Sequence, residues 1–106
     1  MIYRIEYAPL AVRDLERMYA EILEASQDQE TAIRYIDDLM NQIAAKSEFP
    51  KSGSPLYYEE NFTGYYFVAY KAYMAFYRVD EDRMEVDRVV YARSDYIRSI
   101  FKARKQ

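Results

Sequence analysis

The chain has 106 residues, 51% of them hydrophobic and 31% charged, which is the composition of one globular domain and leaves no room for a second core. Histidine and cysteine are both absent, which excludes Ser-His-Asp, Cys-His and HExxH chemistry, thiolate metal sites and disulfide frameworks. The net charge is −3, and it is uneven: residues 92–106 carry five cations (Arg93, Arg98, Lys102, Arg104, Lys105) and one carboxylate (Asp95), or +4, leaving −7 on residues 1–91. A net acidic chain is a poor general binder of nucleic acid.

Residues 2–7 alternate, with Tyr3, Ile5 and Tyr7 on one face, and predict a half-buried first strand. Pro9 ends it and suits the first turn of a helix over 9–25. There Leu15, Met18, Tyr19, Ile22 and Leu23 form the apolar stripe, and Arg13, Asp14, Glu16, Arg17, Glu21 and Glu24 take the outer face. Ser26 with Gln29 has capping-box spacing, Asp28 is an equally good cap, and a second helix follows over 28–47. Its inward stripe is Ile33, Ile36, Leu39 (or Met40) and Ile43, so the two helices read as an antiparallel hairpin. Residues 50–64 hold both glycines, Gly53 and Gly64, with Pro50 and Pro55, and read as a loop.

Three strands follow, 65–71, 73–79 and 84–91, as a meander. In the second, Tyr73, Ala75, Tyr77 and Val79 share one face, and Met74, Phe76 and Arg78 the other; in the third, Met84, Val86, Arg88 and Val90 share a face. Ser94 caps a last helix over 95–103, with Ile97, Ile100 and Phe101 inward and the basic residues outward. The expected fold is α+β: an N-terminal strand, an antiparallel helical hairpin, a three-stranded antiparallel meander completing a four-stranded sheet, and a C-terminal helix, all in a single domain over 1–106.

The acidic pairs Asp37-Asp38 and Glu59-Glu60 and the run 80–82 are sequential neighbours and read as solvated surface, so no metal or cofactor is expected. Two glycines eleven residues apart form no phosphate loop. No export signal or membrane-length apolar run is visible, and a cytoplasmic location is the expectation. What remains is basic and phenolic: Lys71, Arg78, Arg88 and Arg93 interleave with Tyr65, Tyr66, Tyr70, Tyr73, Tyr77 and Tyr91. Arginine and tyrosine on a sheet can hold phosphates and stack bases. The rings suit core packing equally, and Tyr91 with Arg93 stand where a strand ends.

Four weak motifs in order then resemble the RelE/ParE superfamily of toxins from type II toxin–antitoxin modules, also called plasmid stabilisation proteins. They are Tyr3 through Pro9 and Ala11 to Asp14 and Leu15; Pro50, Gly53, Pro55 and Leu56; Tyr73, Tyr77 and Val79; and Val86, Arg88, Val89, Tyr91, Arg93 and Asp95. The resemblance implies a bacterial growth-inhibiting toxin silenced by a cognate antitoxin. That partner is expected over the helical hairpin and the Tyr57-Tyr58 loop, a surface through which the free toxin forms a homodimer. It implies one of two targets. RelE-like members cut mRNA on the ribosome, whereas ParE-like members bind and poison DNA gyrase. Met74 stands where the nucleases carry an arginine, and Tyr91 where many relatives carry histidine, so the expectation is a ParE-like inhibitor that acts by binding. The alternatives are a ribosome-dependent, metal-independent endoribonuclease using Arg93 and Tyr91, and a degenerate toxin that only binds its antitoxin. Lys71, Arg78, Arg88, Arg98 and Lys102 are the expected target contacts in either active case.

Overall fold

The computed structural model describes residues 2–93. The elements are β1 (Arg4–Tyr7), α1 (Pro9–Ser26), α2 (Gln29–Ala44), a single 3-10 turn (Pro50–Ser52), β2 (Ser54–Tyr58), β3 (Asn61–Tyr70), β4 (Tyr73–Asp80) and β5 (Arg83–Tyr91). The sheet order is β1-β5-β4-β3-β2. Strands β2 to β5 form an antiparallel meander, and β1 lies parallel to β5 at the far edge.

The expected four-stranded sheet is therefore corrected to five strands of mixed direction. The extra strand, β2, lies in the stretch read as a loop. Its Leu56 is buried, and it pairs with β3 through Ser54↔Phe67, Pro55↔Tyr66, Tyr57↔Phe62 and Tyr58↔Asn61. Pro55 is tolerated because β2 is an edge strand, where a missing N–H breaks no ladder on the open side. The turn to β3 is made by Glu59 and Glu60, with φ of 52° and 69°, the left-handed pair a two-residue hairpin needs. Among the described residues no helix follows β5, and the helix expected over 95–103 lies outside them.

The main core lies between the sheet and the hairpin. Ala11 and Met18 of α1 and Leu39 and Ile43 of α2 pack on Val68, Tyr73, Ala75, Tyr77, Met84, Val86 and Val89. Leu56, Tyr65, Met74, Phe76 and Val90 form a smaller cluster on the other face. The helix boundaries have simple causes. Pro9 opens α1, and Gln27, at φ 56°, closes it by donating its N–H to the Leu23 carbonyl at 2.8 Å. Asp28 is the N-cap of α2, and its carboxylate accepts the Thr31 hydroxyl at 2.6 Å rather than a backbone N–H.

Three side chains depart from the expected pattern. Ala32, Leu39 and Ile43 define the packed face of α2, so Ile33, one residue or about 100° further round, is 45% exposed instead of inward. Asp14, expected outside, is 3% exposed. A register shift between Phe76 and Tyr77 makes Asp87 an extra residue in β5. That bulge breaks the alternation, so Val89 joins the helix-side core and Val90 the opposite cluster.

Candidate functional site

Arg88, Arg78 and Lys71, three of the cations expected at the target, fall into three separate settings. Arg88 follows the bulge in β5, where β1 has already ended, since the β1 ladder stops at Tyr7↔Val86. Its guanidinium donates to Asp14 of α1, Nε to Oδ2 at 2.7 Å and Nη2 to Oδ1 at 3.2 Å. Asp14 Oδ2 also accepts the Val89 N–H at 2.9 Å, and Oδ1 accepts Arg17 Nη2 at 2.6 Å. One buried carboxylate thus receives an edge N–H that β1 no longer covers and ties α1 to β5. Arg88, expected at the target, is held by Asp14 here.

Arg78 alternates with Tyr77 and so lies on the side of the sheet away from the hairpin. Its Nε donates to Asp87 Oδ2 at 2.9 Å and its Nη2 to Glu85 Oε1 at 2.8 Å. The Tyr65 hydroxyl donates to the same Asp87 oxygen at 2.7 Å. Burial, then a proton shared with Glu85, pushes the Asp87 carboxyl up to about 6. Glu85 moves the other way, lowered by the hydrogen bond from Asp87 and by Arg78. Two carboxyl groups face one guanidinium.

The third setting is aromatic. Lys71, in the β3–β4 turn at φ 53°, holds its ammonium 5.0 Å from the Tyr35 ring centroid and 5.4 Å from that of Tyr70. Tyr35 meets Tyr70 and Tyr73 edge-on at 5.3 and 5.9 Å. Tyr91 stacks on Tyr73 at 4.7 Å. Burial, then a hydrogen bond with Tyr91, raises the Tyr73 phenol far above its ordinary value. The Tyr70 and Tyr73 hydroxyls donate to Asp38 at 2.9 Å and Glu21 at 3.2 Å. Arg93, just past β5, is exposed. The expected residues therefore do not converge. Arg78 is on one face with two carboxylates, Lys71 and Tyr91 are at the hairpin end of the other, and Arg88 is tied to α1. Met74 is buried in the smaller cluster. Arg98 and Lys102 lie outside the described residues. Among the described residues no group of three or more carboxylates is placed to hold a metal ion.

Two apolar surfaces are open instead. A groove of about 580 Å³ runs between the helices, lined by Val12, Leu15, Glu16, Tyr19, Ile33, Ile36 and Asp37. At the β2–β3 end, Tyr57 is 60% and Phe62 48% exposed, with ring centroids 5.9 Å apart. The rings continue inward from Phe62 to Tyr66 at 5.5 Å and from Tyr66 to Tyr77 at 5.7 Å, where the buried Tyr77 hydroxyl donates to the Pro50 carbonyl at 2.7 Å. Tyr58, expected beside Tyr57, packs against the smaller cluster instead. Sequence reasoning missed Asp14 and Asp87. Asp14 is three residues after Ala11 and four before Met18, inside the buried stripe of α1. The adjacent apolar pair Val89 and Val90 is the sequence trace of the bulge.

Comparison with known proteins agrees with this fold. The family model for the ParE toxin of the type II toxin–antitoxin system, parDE, matches residues 5–96. No curated protein matches the chain at a significant level. Among solved structures, the chromosomal ParDE toxin–antitoxin system from P. aeruginosa superposes with a TM-score of 0.73 at 16% identity, over 87% of this chain and 98% of that one. The RelBE2 toxin–antitoxin complex from Mycobacterium tuberculosis superposes with a TM-score of 0.55 at 23% identity, over 86% and 99%. Among the described residues no helix is long and apolar enough to cross a membrane.

Proposed function

The chain belongs to the ParE toxin family of type II toxin–antitoxin systems, and on that premise we propose that it is a cytoplasmic toxin that arrests growth by binding DNA gyrase rather than by cutting RNA. The observation that carries this reading is the commitment of Arg78 and Arg88 to carboxylates. Metal-free cleavage of RNA needs an acceptor for the 2′-hydroxyl proton and cations on the scissile phosphate. Here Arg88 is spent on Asp14 and Arg78 on Glu85 and Asp87, and they occupy different parts of the sheet. Tyr91 is stacked on Tyr73, whose raised phenol offers no base. An inhibitor that acts by occupancy has no such requirement.

The same reading gives the toxin a cognate antitoxin. Its contact surfaces are the groove between α1 and α2 and the exposed Tyr57–Phe62 pair, because both present apolar side chains that a partner can desolvate. The free toxin is then expected to self-associate through them.

Two assays test the target. Purified protein is expected to inhibit gyrase supercoiling and to leave mRNA intact on translating ribosomes in a toeprint. Strong cleavage by the wild type that disappears in Arg93→Ala would overturn the binding reading in favour of a nuclease. Inactivity in both assays would point to a toxin that keeps only its antitoxin contact. Replacing Arg98 and Lys102 with alanine asks, by growth arrest on induction, whether these two cations meet the target.

A further inference from the structure

We propose that the segment seated in the groove between α1 and α2 is an amphipathic helix with an apolar stripe flanked by lysine or arginine. This rests on the antitoxin reading and adds the chemistry of the docking element. The floor is apolar: Val12, Leu15, Tyr19, Ile33 and Ile36, with Val12 44% and Ile33 45% exposed. A groove between two helices accepts a third through residues spaced three and four apart.

The rim is acidic. Glu16 and Asp37 line the groove itself. A second depression of about 490 Å³ shares Ile33 and Asp37 and adds Glu30, Arg34 and Asp38. Four carboxylates thus stand against one guanidinium around these two hollows. Arg17, on the same helix as Glu16, is held by Asp14 at 2.6 Å. Asp38 lines the second depression and accepts the Tyr70 hydroxyl at 2.9 Å, with the Lys71 ammonium 5.4 Å from that ring. The surroundings reinforce the sign, because residues 1–91 carry −7. An acidic docking helix would place like charges along both edges, whereas a basic one pairs with them while its stripe covers Val12 and Ile33.

The test uses two synthetic helical peptides of about five turns with the same leucine stripe, one flanked by lysines and one by glutamates, titrated into the full chain by fluorescence anisotropy. The lysine peptide is expected to bind at least about tenfold more tightly than the glutamate peptide, with the difference shrinking in high salt. Ile33→Asp, at an exposed position that leaves the fold intact by circular dichroism, is expected to weaken the lysine peptide by about tenfold or more. Glu16→Gln with Asp37→Gln should weaken it by about fivefold and leave the glutamate peptide no weaker. Equal binding of both peptides, binding indifferent to Ile33→Asp, or no binding of either would overturn the proposal. Growth arrest on induction is scored separately. Arrest with no charge preference in the groove sinks this inference alone, whereas no arrest and no gyrase inhibition overturns the gyrase reading and leaves the antitoxin contact, on which the peptide titration still decides.

Discussion

Two aspartate–arginine junctions hold β5, and they are built in opposite ways. Asp14 is 3% exposed and receives four donors: two from Arg88, one from Arg17 and the Val89 N–H. Asp87 receives Arg78 and the Tyr65 hydroxyl but has Glu85 beside it, competing for the same guanidinium. The first carboxylate is surrounded by donors and fixes a helix to a strand. The second has fewer donors and shares a proton with Glu85. A buried charge with a full set of partners is a structural joint, while one short of partners becomes a titrating group. Both junctions also commit an arginine of the sheet to carboxylates.

The contrast breaks most visibly at Asp14. Asp14→Ala leaves the Arg88 guanidinium without its buried partner and the Val89 N–H without an acceptor. The expected cost is about 3–4 kcal/mol, read as a lowered urea midpoint at unchanged slope. Asp14→Ala combined with Arg88→Met should recover part of that loss, because the unpaired charge goes with its partner. A loss under about 1 kcal/mol for Asp14→Ala would show that the joint is not structural.

An uncharged joint of the same kind supplies the next comparison. The Tyr77 hydroxyl, fully buried, donates to the Pro50 carbonyl at 2.7 Å and holds the 3-10 turn against β4. A Cβ added at Gly53 would collide with that hydroxyl. Gly53→Ala is therefore expected to cost about 2 kcal/mol. Tyr77→Phe should cost about 1 kcal/mol, and the double variant less than the two together, because removing the hydroxyl removes the collision. Full additivity would contradict the geometry.

Local pattern carried much of this architecture, and the misses have particular causes. The alternation of Tyr3, Ile5 and Tyr7 and the two faces of 73–79 were legible because each strand packs on one cluster per face. β2 was hidden because Pro50, Gly53 and Pro55 are turn residues, and only pairing with β3 makes Ser54–Tyr58 extended. Asp14 reads as outward on charge alone, although its spacing places it in the buried stripe. The separation of Lys71, Arg78, Arg88 and Tyr91 was not legible at all. It follows from the bulge at Asp87 and from the point where β1 ends, and both are properties of strand pairing rather than of any one segment.

The smallest expected effect sharpens the contrast from the other side. Burial and the proton shared with Glu85 raise the Asp87 carboxyl from 3.8 to about 6, against the opposing pull of Arg78. The folded state therefore binds this proton more tightly than the unfolded chain. The stabilising contribution is fully present below about pH 4 and is lost as pH rises through 6. Glu85, held low by Asp87 and Arg78, acts in the acid range and does not cancel the loss above it. Because the proton is shared and the patch is partly open, the loss at neutral pH is about 1 kcal/mol. Asn cannot titrate but still offers Tyr65 and Arg78 an acceptor. Asp87→Asn should then melt below the wild type at pH 4.5 and at or above it at pH 7.5, with the two curves crossing near the Asp87 titration. Melting temperatures of the two proteins across that range decide the matter, and curves that run parallel would mean that Asp87 is as firmly satisfied as Asp14.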